Sequence, residues 1–284
     1  TQMRSRYSLA VVTLDMAVVG VVAIIFLVQH SASVSTGSGQ TGSQLFEALA
    51  IFQLCLVLFI TPASMAAAVS GERQRGTWDL LRVTRLSAFD IIWAKLLAGL
   101  TINMLLLAAA LPLFGSVFLF GGVTATDVVR TYVVLVASIL LLAAISLFVS
   151  VLSARPVVCV IVSNVISMLI SFGLSLLIVY GETGQQATQL PDLSELASLP
   201  PEAPALTPLA QVDPLVALVS ALPRGQGGTL LGRLGIIHQA FRLPLRLDVW
   251  EAFCILSIAI AIVLLGLSTA ALRWRTTWLR RGVG

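Results

Sequence analysis

The chain has 284 residues, 58% of them apolar and 11% charged, with a mean hydropathy of +0.99. Soluble globular domains are about 45–50% apolar, so this composition excludes an ordinary water-soluble domain and indicates a membrane protein. Lys and Arg outnumber Asp and Glu by 17 to 13, a formal +4; the basic residues flank apolar runs, so the excess reads as a topology signal, not a nucleic-acid footprint.

A helix needs about 20 apolar residues to cross a bilayer core. Six stretches qualify: residues 9–28, 46–69, 96–120, 131–153, 156–180 and 250–272. The expected fold is therefore an all-α polytopic membrane protein, a single transmembrane domain over 1–284 with six spans. The first run follows Arg4 and Arg6, and Ser31-Ala32-Ser33 faintly resembles a signal-peptidase site. Its length and the acid Asp15 favour an uncleaved span. An acid inside a span is costly, so Asp15 pairs with an Arg or faces a water-filled entrance. Gln53 lies in the second span and Asn103 in the third; both are candidates for a translocation path. Pro62 and Pro112 are expected to kink these spans.

Residues 70–95, between the second and third spans, hold eight charges: Glu72, Arg73, Arg75, Asp79, Arg82, Arg85, Asp90 and Lys95. Trp78, Leu81 and Arg85 fall at i, i+3 and i+7, one face of a short amphipathic helix. Ser87 followed by Asp90 is a capping-box pattern that opens the third span. On the residues alone this island is either a docking helix or a helix resting on the lipid surface. No Gly-x-x-x-x-Gly-Lys-Ser/Thr phosphate loop occurs anywhere, so ATP hydrolysis by that route is not expected of this chain.

In the fifth span Cys159, Ser163, Ser167, Ser171 and Ser175 recur every four residues. Small residues at that spacing let helices approach closely. The stripe reads as helix packing, as an interface between two copies of the chain, or as a hydroxyl-lined path. Asn164 lies about 100° off it and faces another neighbour. Glu47 and Glu251, with Asp248 nearby, mark the outer ends of their spans as interfacial residues or an acidic rim.

The long segment 181–249 holds eight of the eleven prolines. Within it, "DPLVALVSAL" predicts a short helix capped by Asp213 with Pro214 at its first position. "TLLGRLGIIHQAF" is a second candidate. The segment would form a packed cap or a gate at the outer mouth. His30 and His238 are isolated, and Cys55, Cys159 and Cys254 lie in apolar runs, so no metal site or disulfide is expected.

Basic residues set the direction. Counting Arg4 and Arg6, the five in 70–95, Arg155, and Arg273, Arg275, Arg280 and Arg281, twelve lie on one side against Arg130 alone on the other, leaving aside the long segment with its four. The termini and the island are thus expected in the cytoplasm of a cell membrane, and 181–249 outside.

The stretch "GERQRGTWDLLRVTRLSAFDIIWAK" resembles the signature segment of ABC transporter permeases of the type 2 exporter family, through Glu72, Arg73, Gly76, Thr77, Leu80, Leu81, Thr84, Leu86, Ser87 and Lys95. Arg85 stands where the family usually has Pro, which loosens the expected turn. The resemblance implies a cytoplasmic coupling segment over 70–95 that docks on a separate ATPase subunit, with Glu72, Arg73, Arg75, Gly76, Thr77, Trp78, Leu81 and Arg82 as contacts. It implies that ATP and Mg are bound by that partner and none by this chain, and that a second permease copy or a sister permease completes the transporter. A polytopic anchor or channel without ATP coupling is the alternative from another class. An intramembrane enzyme is disfavoured, because no span places two acids, or a His and a nucleophile, on one face.

Overall fold

The computed structural model describes residues 13, 16–21, 23–25, 28, 40–74, 87–153, 155–175, 212–222 and 249–281. The described residues form helices and short connections, with no strand among them. In chain order the helices are α1 (Met16–Ile25), α2 (Gln40–Gln74), α3 (Ala88–Ser116), α4 (Ala125–Leu152), α5 (Pro156–Met168), α6 (Pro214–Ala221) and α7 (Val249–Arg281). A 3-10 turn, Val117–Phe120, ends α3, and a π-helical stretch, Leu169–Gly173, continues α5. Five of these stretches are long and apolar enough to cross a membrane: Gly42–Ala66, Phe89–Phe120, Ala125–Leu152, Pro156–Gly173 and Val249–Leu272. Nine of the twenty residues of the expected first span lie outside the described residues; within the rest, Val19 of α1 is fully buried in the main core.

The helices run past the apolar stretches. Helix α2 begins at Gln40 and continues to Gln74, so Glu72 and Arg73 belong to the helix that was expected to end at 69. Helix α3 starts at Ala88, where Ser87 and Asp90 close the expected capping box: the Ser87 hydroxyl accepts from the Asp90 N–H at 3.2 Å, and the Asp90 carboxylate accepts from the Ser87 N–H at 3.0 Å. Helix α4 begins at Ala125, not near 131. Thr124 and Asp127 form a second capping box there, which brings Arg130 into the helix. The connection before it shrinks to a tight turn at Gly121 and Gly122, whose φ values of 76° and 81° suit glycine. Pro62 and Pro112 both sit inside helices, where each leaves one carbonyl of the preceding turn without its usual amide.

The helices run alternately up and down. One end of the bundle carries Ser87, Leu152 and Pro156; the other carries Thr124, Ser175 and Val249. Two cores correspond to these ends. The larger, toward the Thr124 end, gathers Phe46, Leu49, Phe114, Val134, Leu135, Leu218 and Phe253. In it Phe114 meets Phe46 and Tyr132 edge to face, with ring centroids 5.5 and 5.4 Å apart, the geometry that aromatic quadrupoles favour. The smaller core, at the Ser87 end, joins Met65, Ile92, Leu96, Leu147, Val151 and Leu272 from four helices.

Helix α4 is the hub and packs on α2, α3, α5, α6 and α7. Its middle, residues 141 to 147, is buried all the way round, as expected of a helix enclosed by others. At the Thr124 end, α2 comes so close to the Gly121 turn that a Cβ on Gly42 would lie 1.9 Å from the Gly121 carbonyl oxygen.

Candidate functional site

The sequence directs attention first to the island at 70–95. Residues 75–86, with Arg75, Gly76, Thr77, Trp78, Leu81 and Arg82, lie outside the described residues. What the structure supplies is their mounting. The chain leaves the bundle at the end of α2, which carries Glu72 and Arg73 on its last turn, and re-enters at the capped start of α3.

Both flanks are anchored. On the exit side, the Ser70 N–H donates to the Ser150 hydroxyl at 3.1 Å, tying α2 to α4, and Ser70 is fully buried. On the return side, Ile92 and Leu96 of α3 enter the small core with Met65 and Leu147. A residue of larger volume than Gly at position 99 would collide with Met65, since a Cβ there lies 2.2 Å from its sulfur. The island is therefore slung between two helix ends held in one packed cluster.

The polar residues within the spans fall into separate places. Asn103 of α3 is buried and fully engaged: its side-chain amide donates to the Gly99 carbonyl at 2.9 Å, and its carbonyl accepts from the Thr61 hydroxyl of α2 at 2.7 Å. That pair crosslinks two spans. Gln53 of α2 is also buried, and its Oε1 is enclosed without a hydrogen-bond partner. Asn164 of α5 is half-buried; its amide returns to the Val160 carbonyl at 3.0 Å, while its Oδ1 is enclosed and without a partner. Among the described residues no hydrogen bond joins Gln53, Asn103 and Asn164 to one another. Asp15, His30 and His238 lie outside the described residues.

The serine stripe of the fifth span turns inward. Cys159, Ser163, Ser167 and Ser171 are fully buried and Ser175 is nearly so, on a helix that packs against α2 and α4. The opposite face, with Val157, Ile161, Val165 and Leu169, is exposed. A strict four-residue repeat should drift off one face of a 3.6-residue helix. The π stretch at Leu169–Gly173 reduces that drift, because a turn closed by i→i+5 bonds holds more residues. The persistence of the repeat through Ser175 was the sequence signal for it.

The stripe ends in a feature that sequence reasoning only half caught. Asp213 is the N-cap of α6, accepting from the Leu215 N–H at 2.8 Å, and Pro214 takes the first helical position. Asp213 is also completely buried, and its carboxyl meets the Ser175 hydroxyl. Helix α6 packs on α2, α4, α7 and the π stretch, so this part of 181–249 is a plug set among the spans at the Thr124 end. Ser175 donates to the Ser171 carbonyl at 2.7 Å. The same hydroxyl can instead donate to the Asp213 carboxylate, and its one proton serves one of these two acceptors at a time. Burial pushes the Asp213 carboxyl up to about 7, outweighing the hydrogen bonds from Ser175 and from the Leu215 and Val216 amides, which favour its charged form.

Residues 24–270 match the sequence profile of the ABC-2 family transporter proteins. The chain belongs to the ABC-2 transporter family. No curated relative matches it. As a membrane permease of this family it is a multi-pass transport subunit, and membership implies association with an ABC ATPase subunit. The family match covers both flanks of the island, the serine stripe and the α6 plug of this permease.

Proposed function

We propose that this permease is the membrane-spanning half of an ATP-driven exporter. The Ser87 end faces the cytoplasm. The segment 70–95 docks on the ATPase partner through Glu72, Arg73, Arg75, Gly76, Thr77, Trp78, Leu81 and Arg82. ATP and Mg bind in that partner, and closure of two ATPases moves the spans of two permeases so that cargo passes from the cytoplasm or inner leaflet outward. The observation that carries this reading is the junction of a family match over residues 24–270 with an island whose two flanking helices share one small core. A load applied between α2 and α3 then reaches α4 and α7 directly. Trp78 and the arginines supply the kind of large, partly apolar anchors that dominate protein contacts.

The test is co-purification and coupled ATPase activity of the full complex in lipid. Trp78→Asp and Leu81→Asp should release the ATPase or uncouple its hydrolysis from transport. Leu119→Asp, at an exposed position on the opposite end, should leave the partner bound. Retention of a fully coupled ATPase by both island variants would sink the proposal.

A further inference from the structure

An apolar groove of about 400 Å³ opens on the outer surface of the bundle near the Thr124 end. Leu111 of α3, Val129, Val133 and Val136 of α4, and Cys254 and Ile258 of α7 line it. Its lining on α4 runs from Val128 to Leu140, which is about 18 Å of helix at 1.5 Å per residue. That is just over half of a hydrocarbon core of about 30 Å, the depth of one leaflet. The groove exists because the circumference of α4, closed by neighbours at 141 to 147, opens in this half, where Val129, Val133 and Val136 are exposed.

The rim has the opposite character. One turn before Cys254, the ring of Trp250 lies under the guanidinium of Arg130, 5.7 Å from its centroid. Arg130 is exposed and stands in the first two turns of α4, at the level where a span meets the headgroups. An indole and an arginine at that level are the usual anchors of a membrane interface. Two acids stand near Arg130 and Trp250 on the same two helices: Asp127, whose carboxylate is held by Thr124 at 2.6 Å, and Glu251, next to Trp250 in the chain. Their presence suits a headgroup with one negative charge better than a polyanion.

We propose that this groove is a binding site for a glycerophospholipid of the adjacent leaflet, its acyl chain along Val133, Val136 and Ile258 and its phosphodiester at Arg130. A second copy of the chain is a poor fit. An isologous contact here would set a concave surface against its own copy and bring two Arg130 side chains together. The proposal requires only that the chain spans a membrane; it is independent of ATP coupling and of the direction of transport.

The probe is phosphatidylglycerol carrying a diazirine on its acyl chain, incorporated with the intact protein into nanodiscs, irradiated and mapped by peptide mass spectrometry. Lipid retained after detergent extraction is counted in parallel by native mass spectrometry. Label should concentrate on the α4 and α7 peptides that line the groove. Filling it with Val136→Trp should cut label and retained lipid about fivefold or more, and Arg130→Gln should cut retention about fivefold. Val133→Phe, a milder filling, keeps the test open if the tryptophan variant does not fold. Label spread evenly over the exposed faces of α5 and α7, retention indifferent to the filling variants, or a dimer that these variants dissolve while lipid stays bound would each overturn the proposal.

Discussion

Asp213 shows how one side chain joins local structure to pH. In the unfolded chain it is an ordinary carboxylate; in the fold it caps α6 and is wholly enclosed beside Ser175, and burial raises it to about 7. The folded state thus holds a proton that the unfolded state releases above its ordinary, lower value. The contribution is fullest in acid, declines as the pH rises from about 4 to about 7, and is lost above that, up to about 4 kcal/mol in all. Thermal unfolding in detergent should therefore show stability falling across this window. Asp213→Asn, which keeps a cap acceptor and gains a permanent donor toward Ser175, should flatten the profile and be the more stable protein at pH 8. Asn103 makes a second prediction at this scale. Asn103→Ala removes the Thr61 crosslink and should cost about 1–2 kcal/mol, read as a lower melting temperature, whereas Thr61→Val with Asn103→Leu together should cost less than Asn103→Ala alone, because no buried group is then stranded. The cap role of Asp213 was legible from Asp-Pro before an apolar run. Its burial was not, since that depends on which spans surround α6, and nothing local in the sequence encodes that.

Among elements, the helix termini teach most. Ser87 and Asp90 were readable as a start because the box stands at the edge of an apolar run. Thr124 and Asp127 form the same box, yet the helix they open was expected to start near 131. Hydropathy measures where a span meets hydrocarbon, and charged or polar turns such as Thr126, Asp127 and Arg130 continue a helix past that boundary without registering. The same blindness shortened α2, whose last turn holds Glu72 and Arg73. Contacts between elements are likewise silent in the sequence: the two glycines Gly42 and Gly121 are unremarkable in a list, but they let α2 touch the turn before α4. Gly42→Ala should drive a methyl into the Gly121 carbonyl and cost about 1–3 kcal/mol. The measurement is a melting temperature, compared with Gly115→Ala, where an added Cβ meets nothing within 4 Å.

At the scale of the whole molecule, composition gave the class, helical and membrane-spanning, and the twelve-to-one basic count gave an expected direction, while the division into two cores came only with the structure. The small core of Met65, Ile92, Leu96, Leu147, Val151 and Leu272 is where the island's flanks meet α4 and α7. On the proposed coupling, a cavity there should soften the link between partner and spans. Leu147→Ala should lower stability by about 2–5 kcal/mol. In proteoliposomes at a temperature where it stays folded, it should move less cargo per ATP than Leu218→Ala, a cavity in the other core.

The enclosure of α4 carries a mechanical corollary. A rod gripped on every side at mid-length cannot slide or swivel without dragging its five neighbours, and close-packed interiors resist such shear. If a corridor through the bilayer opens and shuts, its walls must be the outer faces of whole bundles rocking against one another, and the exposed valines and isoleucines of α5 are then the surface along which such a corridor would part.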